Sequence, residues 1–192
     1  MNTDLNTVSG TGVTPGINMQ ETIESLISEY PICEYCFGST AQIPFSDKVF
    51  TICETDCKRY KHCWACPPHA GSIEDNIARC HAYNNFFLFS TVHEVADAWN
   101  VDACLEAKKE HETLSRELRS RLLLLNPCIY MLSTGCSICD VCGCPDEPCR
   151  HPEERLYSSE SHGIVLMQLV EEMGLCFNYG GETAVYFSMV LF

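Results

Sequence analysis

Apolar residues recur at helical spacing in some stretches of this chain and run almost continuously in others, and the contrast sets the expected elements. In residues 21–28, Ile23, Leu26 and Ile27 share one face, which predicts a short helix ended by Pro31. Residues 95–125 predict a long helix, with Asn100 and Asp102 as points of interruption. Leu114, Leu118, Leu122 and Leu125 form its apolar stripe, while Lys109, Glu112, Arg116 and Arg119 are assigned to water. Pro127 ends it. A further helix is expected over 164–173, stopped by Gly174. Ser72 is a candidate N-cap for a helix to about His81, with Cys80 on its last turn. Residues 85–92, 128–132 and 184–192 are apolar runs of strand length. Residues 43–45 and 49–52 are read as strands around Ser46-Asp47, the first at an edge because it contains Pro44.

This order predicts an α/β chain of the α+β kind, with a small, mostly antiparallel sheet covered by helices. Residues 1–17 are small, polar and Gly-rich and predict a disordered leader; 18–192 predict a single domain. The hydrophobic fraction of 46% and charged fraction of 20% place the chain with globular proteins.

The net charge of −14, with no Lys or Arg before Lys48 or after Arg155, repels phosphate backbones and argues against nucleic-acid binding. It suits docking onto a basic partner, and it equally serves solubility. No apolar stretch has the length of a membrane span; 164–170 is too short, so no membrane is expected. Fifteen cysteines is an odd number, and no basic region followed by an apolar run opens the chain. The expectation is a reducing cytoplasm and thiolates kept for metal.

Two dense stretches carry those thiols. In residues 135–152, Cys136, Cys139 and Cys142 are each separated by two residues and Cys149 follows after six more. C-x-x-C-x-x-C lets three thiolates converge from one tight loop, and a fourth cysteine closes the set, which is the ligation pattern of bacterial 4Fe–4S sites. Zinc more often takes two separated pairs. The second set is Cys53, Cys57, Cys66 and Cys80, with gaps of three, eight and thirteen residues. Cys63 competes with Cys66, since the two stand as C-x-x-C, and a zinc knot is the alternative reading. Cys33 and Cys36 read as free thiols near a helix end; a third site would draw on Cys63 and Cys144. Cys104, Cys128 and Cys176 read as buried, unreactive thiols.

The joint pattern resembles a known family. It is carried by Cys53, Cys57, Tyr60, Cys66-Pro67-Pro68, Cys80 and Tyr83, then Gly135, Cys136, Cys139, Cys142 and Cys149-Arg150-His151-Pro152. This is similar to the "predicted metal-binding protein" family, domain of unknown function 2284, over about Ala41 to the C-terminus, with Glu160, Gly163 and Ile164 also in place. The resemblance implies metal binding of the iron–sulfur kind and no agreed reaction. Cys33, Cys36, Cys63, Cys104, Cys128, Cys144 and Cys176 fall outside the pattern.

Other residues offer two roles each. Arg150 can donate to a cluster sulfide or pair with Glu153 or Glu154. Lys58, Arg59 and Lys61 either ease reduction of the second set or form an exposed loop. His69 is a candidate ligand or hydrogen-bonding residue. No nucleotide-binding or hydrolase motif is present. The expected function is electron transfer to or from a redox partner protein through two 4Fe–4S clusters. An enzyme with one open iron and a zinc-stabilised interaction module are the alternatives.

Overall fold

The computed structural model describes residues 18–192 apart from Ala98; the expected leader, 1–17, lies outside the described residues. Five strands form one sheet in the order β1-β2-β5-β3-β4. They are β1 (Tyr35–Ser39), β2 (Asn85–Glu94), β3 (Tyr130–Ser133), β4 (Tyr157–Ser158) and β5 (Thr183–Leu191). All pairings are antiparallel except β3 with β4. The helices are α1 (Met19–Ile27), α2 (Asp47–Asp56), α3 (Ile73–His81), α4 (Val101–Leu125) and α5 (Leu166–Glu172). The fold is α+β, with a mostly antiparallel sheet.

Strand alternation divides the core. Phe86 and Leu88 of β2 point to one side, with Phe187, Met189 and Leu191 of β5, and pack with Leu169 and Val170 of α5 and Cys80 of α3. Phe87 and Phe89 point to the other, with Val190 and Met131, and meet Ile23 and Ile27 of α1 and Leu118 and Leu122 of α4. Each fully buried Phe or Leu contributes about 1.5–3 kcal/mol, so both sides of the sheet hold helices in place.

Several expectations are met closely. The long helix expected from Val95 runs to Leu125 but starts only at Val101, because Asn100 is its N-cap and not a break within it; the Asn100 side chain accepts from Ala103 N at 3.1 Å. Ser72 Oγ accepts from Asp75 N at 3.1 Å and starts α3. Gly174, at φ +73°, supplies the left-handed turn after α5.

Others are corrected. Residues 43–45 and 49–52 are not a pair of strands: Ser46 Oγ accepts from Lys48 N at 3.3 Å and caps α2, whose first residue is Asp47. The cap and the acidic first turn outweigh the β-branched run Val49, Thr51 and Ile52. Only Phe45 keeps a β contact, an isolated bridge to Ile164. Cys36, expected near a helix end, lies in β1 opposite Leu88. That strand requires glycine at position 38, where a Cβ would stand 2.4 Å from the Phe86 ring. Cys128 is exposed rather than buried, and Leu125 at the end of the stripe is half exposed.

The largest correction is on α4. Glu112, assigned to water, is 0% exposed. It is one of several polar residues that α4 buries; beside it His111 Nδ1 is 2.7 Å from Thr91 Oγ1 and His111 Nε2 is 2.8 Å from Ser188 Oγ. Ser188 Oγ continues to Ser133 Oγ at 2.7 Å. This seam is hydrogen-bonded along its length, which is what makes burying it tolerable.

Candidate metal centre

The parallel pair β3–β4 positions the site. Parallel neighbours cannot be joined by a tight turn and need a long crossover. Here the crossover is residues 134–156, and it contains Cys136, Cys139, Cys142 and Cys149. It leaves the sheet directly after Ser133 and returns at Leu156, which is 1% exposed. The loop is therefore fixed at both ends by the core.

Its first turn is held from beneath. Glu112 Oε2 accepts from Ser137 N at 2.6 Å, and Oε1 accepts from Thr134 Oγ1 at 2.9 Å. Lys108 pairs with the same carboxylate, and Arg116 lies 3.8 Å away. Burial works to raise the Glu112 carboxyl, but Lys108 and the donated hydrogen bonds overcome it and hold the group below the usual carboxylate range.

The second cysteine stretch folds as successive turns packed on the first. Tyr60 N donates to Cys57 O at 3.0 Å, Cys66 N to Cys63 O at 3.1 Å, and Ala70 N to Cys66 O at 3.0 Å. Arg59 bridges the two stretches: its Nη1 donates to Cys136 O at 2.7 Å and its Nη2 to Ser137 Oγ at 3.1 Å. Trp64 Nε1 donates to Glu147 O at 3.0 Å. Cys63, Ala65 and Cys66 form a small buried cluster against Cys136 and Tyr157.

Between the stretches lies a small cavity, partly open to solvent, lined by Cys63, Cys136, Cys139, Cys142 and Cys149 with Arg150 and Arg155. The four thiols of the first set are thus brought together. None of the cysteines forms a disulfide. Among the described residues no three His, Cys, Asp or Glu side chains are gathered to hold a single metal ion. The thiols line a space rather than meeting at a point. Arg155 stacks its guanidinium 4.8 Å over the Tyr157 ring, and its Nε is buried with no hydrogen-bond partner among the described residues. A buried donor on the wall of a thiol-lined cavity fits an anionic, sulfur-rich group that accepts a hydrogen bond there.

The second set is only partly gathered. Cys53 lies on α2 and Cys57 is its C-cap residue. Burial pushes the Cys53 thiol up to about 11, and Glu160 and Cys57 add to that. Cys66 interacts with Cys57 as well, but its strongest partner is Cys63: the two thiols oppose each other, with Cys66 pushed up and Cys63 lowered. Cys80 is 0% exposed in the apolar cluster of α3, α5 and the sheet, and burial pushes its thiol up to about 12.

Of the residues with two possible roles, Arg150 donates to Val141 O within its own loop, and His69 packs edge-on against Trp64 at 4.9 Å. Lys108, Glu112 and Arg116 were not legible as site residues. Their signal, a Lys-x-x-x-Glu-x-x-x-Arg row on α4, is the same as that of an exposed helix face. Cys63 was visible only as a competitor of Cys66 and as a spare thiol for a third site.

No helix among the described residues is long and apolar enough to cross a membrane. Neither a curated protein nor a solved structure matches the chain. A family model does, over residues 38–192, described as "Predicted metal-binding protein (DUF2284)". That span holds both cysteine-rich stretches, the cavity between them and four of the five strands in full, and the chain belongs to this family of predicted metal-binding proteins.

Proposed function

We propose that this protein is a cytoplasmic iron–sulfur protein that holds two 4Fe–4S clusters and exchanges electrons with a redox partner protein. The observation that carries the reading is the orphaned Arg155 Nε on the wall of a cavity lined by cysteine thiols. Cys136, Cys139, Cys142 and Cys149 would hold the first cluster, and Cys53, Cys57, Cys66 and Cys80 the second. A bound cluster supplies one-electron chemistry at a potential set by charge, hydrogen bonds and exposure. The chain's own part is to hold the thiolates, to offer Arg155 and Arg150 as positive neighbours, and to exclude bulk water with Tyr157 and Trp64. The acidic charge of −14 favours a basic partner face.

Iron, zinc and acid-labile sulfide analysis of anaerobically purified protein tests this. About eight irons with matching sulfide are expected from two such clusters. Stoichiometric zinc without sulfide would replace the carrier with a zinc-stabilised interaction module.

One observation favours a second reading, an enzyme with an open iron. Cys80 is packed into the apolar core rather than with Cys63 and Cys66, which leaves Cys53, Cys57 and Cys66 as the better-placed thiols of that set. EPR of dithionite-reduced protein, with and without cyanide, separates the two. Spectra unmoved by cyanide support the carrier; a shift that persists in Cys80→Ser supports the enzyme.

A further inference from the structure

The cavity wall contains one thiol more than a four-cornered cluster uses. Cys136, Cys139 and Cys142 come from one turn, so their corners are set by local spacing. Cys149 and Cys63 remain, and both line the same space. They arrive differently. Cys149 follows the excursion 143–148 and is partly buried, whereas Cys63 enters from the other cysteine stretch and is 4% exposed.

Cys63 is also engaged with the first set. It packs against Cys136 and lines the same space as Cys142. Arg59 ties the stretch that carries Cys63 to the first set through Cys136 O. Arg155 also lines this space, and its buried Nε has no partner among the described residues, which suits an electron-rich acceptor there.

We propose that Cys63 is a metal ligand of this cavity, able to take the fourth corner in place of Cys149, so that the second cysteine stretch contributes directly to the first site. This rests on the metal-thiolate reading above. When one thiol replaces the other, the incoming thiol gives up its proton and the outgoing thiolate takes one up, so no electron is moved. The consequence is a site that survives loss of its own fourth cysteine and that is coupled to the turn carrying Cys66.

Four variants test it: Cys63→Ala, Cys149→Ala, Cys63→Ala/Cys149→Ala, and Cys144→Ala/Cys149→Ala. Cys144 is the control, a buried thiol of the same loop that donates to Lys61 O at 3.6 Å and does not line the cavity. Iron, zinc and sulfide content and EPR are read on anaerobic preparations beside wild type. The expected result is wild-type metal in both single variants and in the Cys144 double. The EPR signal should shift in Cys149→Ala, and the Cys63/Cys149 double should lose about half the metal. If Cys149→Ala alone loses as much metal as that double, Cys63 is no ligand. Equal loss in the two doubles overturns the proposal as well, because loop disruption then explains it. So does wild-type metal in the Cys63/Cys149 double. A wild type that holds zinc without sulfide defeats the iron–sulfur reading instead, and the same four variants then read Cys63 by zinc content.

Discussion

Glu112 of α4 accepts the backbone N–H of Ser137 at 2.6 Å, so the turn carrying Cys136 and Cys139 rests on a carboxylate buried under the sheet's crossover loop. Lys108 neutralises it from one turn earlier. The cysteine loop is therefore registered against the long helix by a charged contact that no cysteine spacing encodes.

Glu112→Gln leaves Lys108 without its buried counter-charge, at a cost of about 3–5 kcal/mol. For a chain of this size that is roughly 6–20 °C in thermal midpoint. The sign of the pH dependence follows from the depressed carboxyl. Its contribution is fully present above the unfolded value of about 4.3 and is lost as pH falls through the lower folded value. Anaerobic thermal scans of the metal-loaded protein check both, and a shift within a degree or two would remove Glu112 from the support of the site.

Arg59 donates to Cys136 O and Ser137 Oγ across the two stretches. Hydrogen bonds to a charged group are worth about 1.5–3 kcal/mol each. Arg59→Ala is expected to speed metal release to a chelator by at least tenfold, and Arg59→Lys to restore only part of it because a lysine cannot span both acceptors. Release at the wild-type rate from Arg59→Ala would show that the stretches stay together without it.

His111 titrates at about 3, because burial disfavours its charged form, with Thr91 and Ser188 hydrogen-bonded to its ring. The unfolded chain binds that proton near 6.5 and the folded chain does not until about 3. Stability is full above pH 6.5 and falls as pH drops from 6.5 towards 3, by about 1.4 kcal/mol per pH unit, or about 2 kcal/mol between pH 7 and 5. His111→Gln should flatten the midpoint–pH curve over that window. Parallel curves for the two proteins would mean that His111 charges in the fold.

Cys139→Ala should remove one site's metal and lower thermal stability, since ligands absent from the unfolded state turn binding energy into folding energy. Cys176, outside the cavity, donates its thiol to Asn178 O at 3.1 Å. Cys176→Ala should keep its metal. Equal loss in both variants would show that the wrong thiols have been assigned.

What the sequence determined by itself is local. The stripe of Leu118 and Leu122, the Ser72 cap, the Gly174 stop and the apolar runs of β2 and β5 are each written within a few residues, because periodicity and capping act at that range. The Cys136-Cys139-Cys142 spacing is legible for the same reason. β1 and α2 were lost where local signals conflict. A five-residue strand containing Gly38 shows no alternation, and the β-branched residues of α2 yield to its Ser46 cap. The tertiary structure alone decided which side of α4 is inside at Glu112, since a Lys-Glu-Arg row reads as solvent-facing until the loop that needs its carboxylate is folded against it. It also decided that Cys63 faces the first set while Cys80 sinks into the apolar core. Both placements depend on contacts between residues far apart in the chain but adjacent across the sheet and its crossover, and no spacing along one strand of sequence carries them.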